Sequence, residues 1–162
     1  MLIVPIPGHC DLHIEHVVLD YNGTLAVEGV LIAGVGERLN ALAERLQGDA
    51  KPGVHVVTAD TFGRAQSALH GITCEVKILP PGNQAEAKRT FVQQLGTEVT
   101  ACIGNGRNDR LMLEAAALSI VVIEGEGASV ATLLAADVVV KSPLDALDLL
   151  LHPLRLAATL RS

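Results

Sequence analysis

Tryptophan is absent from this 162-residue chain, and its aromatic residues are only Tyr21, Phe62 and Phe91. A core of the size this length allows must then be built from Val, Leu, Ile and Ala. That is the composition of a parallel sheet covered by helices on both faces. Cysteine is nearly as scarce: Cys10, Cys74 and Cys102 are far apart and odd in number, which argues against a disulfide framework and for reduced thiols in the cytoplasm. Basic residues are outnumbered, 12 against 18 acidic ones, for a formal charge of −6. Nucleic acid, which needs a basic surface, is not an expected partner. No apolar run approaches the ~20 residues of a membrane span, and the opening MLIVPIPGHCDLH has neither a basic leader nor a small-residue cleavage site. Neither a membrane partner nor a signal peptide is therefore expected. With 49% apolar residues, disorder does not describe the whole chain.

What the chain does contain is alternation. Residues 2–6 and 11–14 are short apolar segments around Pro7-Gly8, the pattern of an N-terminal hairpin, with Pro5 holding its strand to an edge. Short β-branched runs then recur at 17–19, 54–57, 101–103, 120–123 and 138–140, and read as buried strands. Between them, Val35, Leu39, Leu42 and Leu46 share one helix face. Asn83 with Glu86 has the form of a capping box before the stripe Ala87, Phe91, Leu95. Further helices are expected over 111–118, 128–135 and 144–160, the last broken near Pro153. The whole reads as one doubly wound α/β domain, 1–162, whose tail is helical.

In such sheets ligands bind beyond the carboxyl ends of the strands. The polar residues there are Asp20, then Gly23 and Thr24 in the following turn; Thr58, followed by Ala59; and Asn105, Asn108 and Asp109 on a loop bent at Gly104 and Gly106. Lys88 falls early in the helix that starts at Asn83. Two acids opposite a hydroxyl and a lysine suit a carboxylate nucleophile attacking phosphorus. Thr58 and Lys88 would hold the oxygens that gain charge, and magnesium is the ion for a few hard oxygen ligands.

The order of these pieces resembles the haloacid-dehalogenase-like superfamily over nearly the whole chain. Asp20-Tyr21-Asn22-Gly23-Thr24 looks like its first motif, Thr58 its second, Lys88 its third, and Gly104-Asn105-Gly106-Arg107-Asn108-Asp109 its fourth. The similarity is greatest to soluble P-type-ATPase-like members. It implies a Rossmann-like core without a cap domain, since neither the stretch after Asp20 nor that after Thr58 has room for one. It also implies Asp20, Asn22, Thr58 and Lys88 as catalytic residues, with phosphate held by Gly23, Thr58, Ala59 and Lys88. Magnesium would be held by Asp20, Asn22, Asn105 and Asp109, with Thr24 and Asn108 in support. The expected activity is slow hydrolysis, through an aspartyl phosphate on Asp20, of a small phosphorylated molecule or a nucleotide. A neighbouring copy of the chain could roof the open site.

Two departures qualify that activity. Asn22 stands where the phosphatases of the family carry an acid–base Asp, and Asn105 where they carry a metal-binding Asp. Loss of a general acid costs ~10²–10⁴ in rate, so turnover should be low. The alternative is a degenerate domain that binds a phosphorylated ligand or a protein partner. Other candidates are weaker. His9, Cys10, His13 and His16 match no metal-ligand spacing. Gly34-Val35-Gly36 lacks the third glycine of a dinucleotide fingerprint, and Gly125-Glu126-Gly127 reads as a loop before a helix.

Overall fold

The computed structural model describes residues 1–8, 10–47, 52–60 and 63–162. The expected hairpin forms from β1 (Leu2–Val4) and β2 (Leu12–Ile14), antiparallel, with Leu2 opposite Ile14. The chain then enters β3 (His16–Asp20), the strand on which the sheet is organised. A two-stranded hairpin of β4 (Ala26–Val27) and β5 (Val30–Leu31) follows, and then α1 (Val35–Arg45). Next come β6 (Val54–Thr58), α2 (Arg64–Ala68), β7 (Glu75–Ile78) and α3 (Gln84–Leu95). The second half runs β8 (Thr100–Gly104), α4 (Arg110–Ala115), β9 (Leu118–Val122), α5 (Val130–Leu133) and β10 (Val138–Val140). Helices α6 (Pro143–Leu151) and α7 (Pro153–Leu160) close it, with Pro153 at the first turn of α7.

Six strands pair in the order β10-β9-β8-β3-β6-β7, every pair parallel. The chain walks from β3 outward through β6 and β7, then returns to β8 on the other side of β3. That reversal creates a crevice between the carboxyl ends of β3 and β8, the place where open α/β sheets bind ligands.

The period of two in the strands sorts side chains between two cores. Val17, Leu19, Val54, Val56, Ala101, Ile103, Ile120 and Val122 face the larger one, with α1, α6, α7 and the N-terminal hairpin. Val18, Val57, Cys102 and Val121 face the smaller, with Val92 of α3 and Met112 and Leu113 of α4. Val35, Leu39, Leu42 and Leu46 are all buried, as the helical spacing implies. Among the described residues no helix is long and apolar enough to cross a membrane.

Two helices are shorter than the sequence pattern suggests. The apolar stretch expected as a helix over 111–118 is divided: α4 stops at Ala115, Ala116 is extended (ψ 157°), and Leu118 already belongs to β9. Parallel pairing with β8, Ala101 opposite Leu118, overrides the helical preference of the alanines. The helix expected over 128–135 is only α5, because Ser129 is its N-cap residue and Asp137 ends the turn after it by accepting from the Ser119 N–H (2.8 Å). Strand β7 carries no continuous apolar run and its residues are half-buried or exposed. It is an edge strand whose mixed pattern gives little signal.

Candidate active site

Asp20 is the last residue of β3, lies opposite Val57 of β6 and is followed by a turn. The turn is tight because the Tyr21 carbonyl accepts from the N–H groups of Leu25 (2.9 Å) and Ala26 (3.0 Å). Gly23 takes φ +73° there, a backbone conformation that favours glycine. Thr58 ends the neighbouring strand, one residue beyond the partner of Asp20. On the other side of β3, β8 ends at Gly104, where an added Cβ would meet Asp109 Cγ at 2.6 Å. Only glycine lets the loop fold back that closely.

Helix α3 brings Lys88 into this crevice. Asn83 caps the helix by accepting from the Glu86 N–H (3.3 Å), which leaves Lys88 in the second turn. Lys88 is 1% exposed, and its ammonium donates to Asp20 Oδ1 (2.5 Å) and to Asp109 Oδ1 (2.6 Å). The second Asp109 oxygen accepts from the N–H groups of Asn105 (3.0 Å) and Gly106 (2.8 Å). Asp109 therefore caps the turn of residues 107–109; neither it nor Asn108 caps α4 through its side chain. Asn108 instead donates to Gln84 Oε1 (3.0 Å), joining the loop to the start of α3.

Two carboxylates thus share one ammonium in a desolvated crevice. Burial, reinforced by Asp109, pushes the Asp20 carboxyl up to about 7 against the pull of Lys88. Burial alone would lower the Lys88 ammonium, but Asp20 and Asp109 together outweigh it and hold its value above the ordinary one. Lys88 is the positive member of the cluster.

The other expected residues are arranged around this centre. Ala59 and the exposed Asn22 line a cavity of about 580 Å³ together with Glu28, Gly29, Asp60, Arg64 and Glu126. Thr24 and Asn105 are buried and hydrogen-bonded to each other (3.1 Å). The sequence reading missed the β4–β5 hairpin that supplies Glu28 and Gly29, and the role of Asp60. The Asp60 carboxylate accepts from the N–H groups of Arg64 (3.0 Å) and Ala65 (2.7 Å) and so holds the start of α2. An Asp a few residues before a helix was the signal available for it. Of the N-terminal histidines, His9 lies outside the described residues. His13 is exposed on β2, whereas His16 meets His55 (3.1 Å).

Among the described residues no group of three or more His, Cys, Asp or Glu side chains converges as a metal site. The side-chain donors at the crevice are hard: the carboxylates of Asp20 and Asp109. That set fits magnesium in its common role, bound by one or two carboxylates with phosphate oxygens and waters completing the shell.

No protein-family model matches the chain. An uncharacterized protein of Methanocaldococcus jannaschii is 46% identical over 84 residues, which are 49% of this chain and 90% of that protein. Among solved structures, the cobalt-bound deoxy-D-mannose-octulosonate 8-phosphate phosphatase of Haemophilus influenzae superposes with a TM-score of 0.70 at 16% identity, over 93% of this chain and 94% of that one. The 3-deoxy-D-manno-octulosonate 8-phosphate phosphatase of Moraxella catarrhalis, in complex with magnesium, phosphate and a KDO molecule, gives 0.70 at 15%, over 87% of each chain. A putative haloacid-dehalogenase superfamily hydrolase (subfamily III A) of Legionella pneumophila gives 0.70 at 16%, over 91% of this chain and 87% of that one. These likenesses show the fold: the chain has the same fold as haloacid-dehalogenase-type phosphatases.

Proposed function

We propose that the chain is a magnesium-dependent phosphoryl-transfer hydrolase in which Asp20 is the nucleophile. The observation that carries this reading is the buried Lys88 ammonium joining the Asp20 and Asp109 carboxylates at the switch point of the sheet. An Asp20 oxygen attacks phosphorus, the bond from phosphorus to the leaving group breaks, and that group departs with the electron pair. Water then attacks the phosphorus of the aspartyl phosphate, the bond to Asp20 breaks with its electron pair returning to the carboxylate, and phosphate leaves carrying the water's proton. Lys88 and Thr58 hold the oxygens among which charge is redistributed.

Magnesium, when bound, would neutralise charge between the attacking carboxylate and the phosphoryl oxygens. Asp20, the Asn22 backbone carbonyl and Asp109 are the donors proposed for it. The cobalt and the magnesium with phosphate in two proteins of the same fold support a divalent cation as the ligand of such a site.

Asn22 neither gives nor takes a proton as a carboxyl would, so the leaving group has to depart without one. Acyl phosphates satisfy this, and their small polar leaving groups suit the polar mouth formed by Asn22, Glu28, Asp60, Arg64 and Glu126. The cytoplasm is the proposed compartment. On acetyl phosphate with magnesium the protein should turn over slowly and Asp20→Asn should not. On an alkyl phosphate, which needs a protonated leaving group, the rate should fall by roughly 10²–10⁴. Equal acetyl phosphate rates for the parent and Asp20→Asn would end this reading.

A second reading rests on the amides at positions 22 and 105: a module that binds phosphate without chemistry. Calorimetry with magnesium and beryllium fluoride separates the two, because only a competent Asp20 traps that mimic of its phosphorylated form.

A further inference from the structure

The Asn105 carboxamide sits in a box that permits one orientation. Its Nδ2 donates to the Gly127 carbonyl (2.9 Å), and its Oδ1 accepts from the Thr24 hydroxyl (3.1 Å). A backbone carbonyl only accepts, so the atom facing Gly127 has to be the nitrogen, and the flipped amide is excluded. An added Cβ on Gly23 would collide with the same carboxamide, so the turn after β3 lies flush against it. The Asn105 carbonyl accepts from the Ser129 N–H (2.8 Å), and the residue is 7% exposed.

The connection continues outward. Glu126, beside Gly127, accepts from the Glu28 N–H (3.0 Å) at the tip of the β4–β5 hairpin. Glu28 is the only non-glycine among the described residues with positive φ (51°), so this tip is held in a conformation with little preference of its own. The Tyr21 hydroxyl secures the other side by donating to the Gly29 carbonyl (3.2 Å). Glu28, Gly29 and Glu126 form one wall of the mouth cavity beside Asn22.

We infer that Asn105 is a positioning residue whose amide ties the turn after β3 to the 125–127 loop and, through Glu126, sets the β4–β5 hairpin over the mouth of the crevice. An aspartate here has no hydrogen to give Gly127 and would place two acceptors against each other in a buried site. The amide is thus what this chain's loop geometry requires at a position where the resemblance implies a metal-binding acid. The inference goes beyond the hydrolase reading and stands without it.

Amide hydrogen exchange and tyrosine emission test it, in buffer without magnesium or phosphate, so the outcome is independent of catalysis. Tyr21 is the only tyrosine and tryptophan is absent, so emission reports the hairpin directly. In Asn105→Asp the Ser129 and Glu28 amides should exchange roughly tenfold faster or more and Tyr21 emission should change, while the Val18 and Cys102 amides in the sheet stay protected. In Glu126→Ala only the Glu28 end should loosen. Parent-like exchange at both amides with unchanged emission would overturn the inference, as would a uniform rise that includes Val18 and Cys102. If Asn105→Asp does not fold, Asn105→Ala, which removes both side-chain hydrogen bonds without adding charge, decides by the same readouts.

Discussion

At the scale of single residues, the crevice is a problem of unequal charge: Asp20 and Asp109 against Lys88 alone. Replacing Lys88 with Met leaves two buried carboxylates without their ammonium, which should cost about 3–5 kcal/mol at pH 8 by urea unfolding. The loss should shrink as pH falls and one carboxyl takes up a proton. The same imbalance predicts the sign of a pH dependence. The Asp20 carboxyl is raised from 3.8 to about 7 by burial and by Asp109, so between those values the folded chain holds a proton that the unfolded chain has released. Stability due to this group is full below about 4 and lost as pH rises through about 7. In magnesium-free buffer Asp20→Asn should be more stable than the parent at pH 8, by more than about 1 kcal/mol, and the difference should vanish toward pH 4. A variant-minus-parent difference that is the same at pH 8 and at pH 4 would contradict it.

Strand-end reasoning located Asp20 and Thr58 at the carboxyl ends of β3 and β6 and the 104–109 loop after β8, because parallel strands all end on one side of the sheet. The Asn105 hydrogen bonds to Thr24 and Gly127 were not legible, since they depend on where three separate loops meet. Gly125-Glu126-Gly127 was recognisable as a loop, but nothing local to it indicates its partners.

At the scale of elements, segments with a clear apolar pattern, from α1 to the short strand β10, were legible, and those with a mixed pattern were not. Helix α1 has four buried apolar positions at helical spacing, a pattern few other structures share. By contrast β7 is half-exposed at the sheet edge, and β9 begins inside an alanine-rich stretch that looks helical until its pairing with β8 is known. The start of β6 depends on a feature that looks unremarkable in sequence. Gly53 has its carbonyl on the Val17 N–H (2.7 Å), and a Cβ there would meet Leu46 Cβ at 2.5 Å and the Glu15 carbonyl oxygen at 2.6 Å. Backbone cannot retreat as a flexible side-chain end can. Gly53→Ala should therefore cost about 1–3 kcal/mol and, because β6 carries Thr58, should lower the melting temperature by roughly 2–4 °C per kcal/mol. A melting temperature equal to that of the parent would show that the close approach at Gly53 carries no such cost.

At the scale of the whole molecule, alternating strands and helices with few aromatics announced a parallel sheet between helices, and the sheet is parallel throughout. The strand order was not written in that alternation. It follows from which cores the two faces bury, and it is the return from β7 to β8 beside β3 that brings residues 20, 88 and 109 to one point. The direct measurement of that convergence is chemical. Protein mixed with magnesium and acetyl phosphate, quenched in acid and digested, should show a phosphoryl group on the peptide containing Asp20 and on no other, and none in Asp20→Asn. Acetyl phosphate turnover with the phosphoryl group on a different peptide would contradict the account, as would labelling that survives in Asp20→Asn.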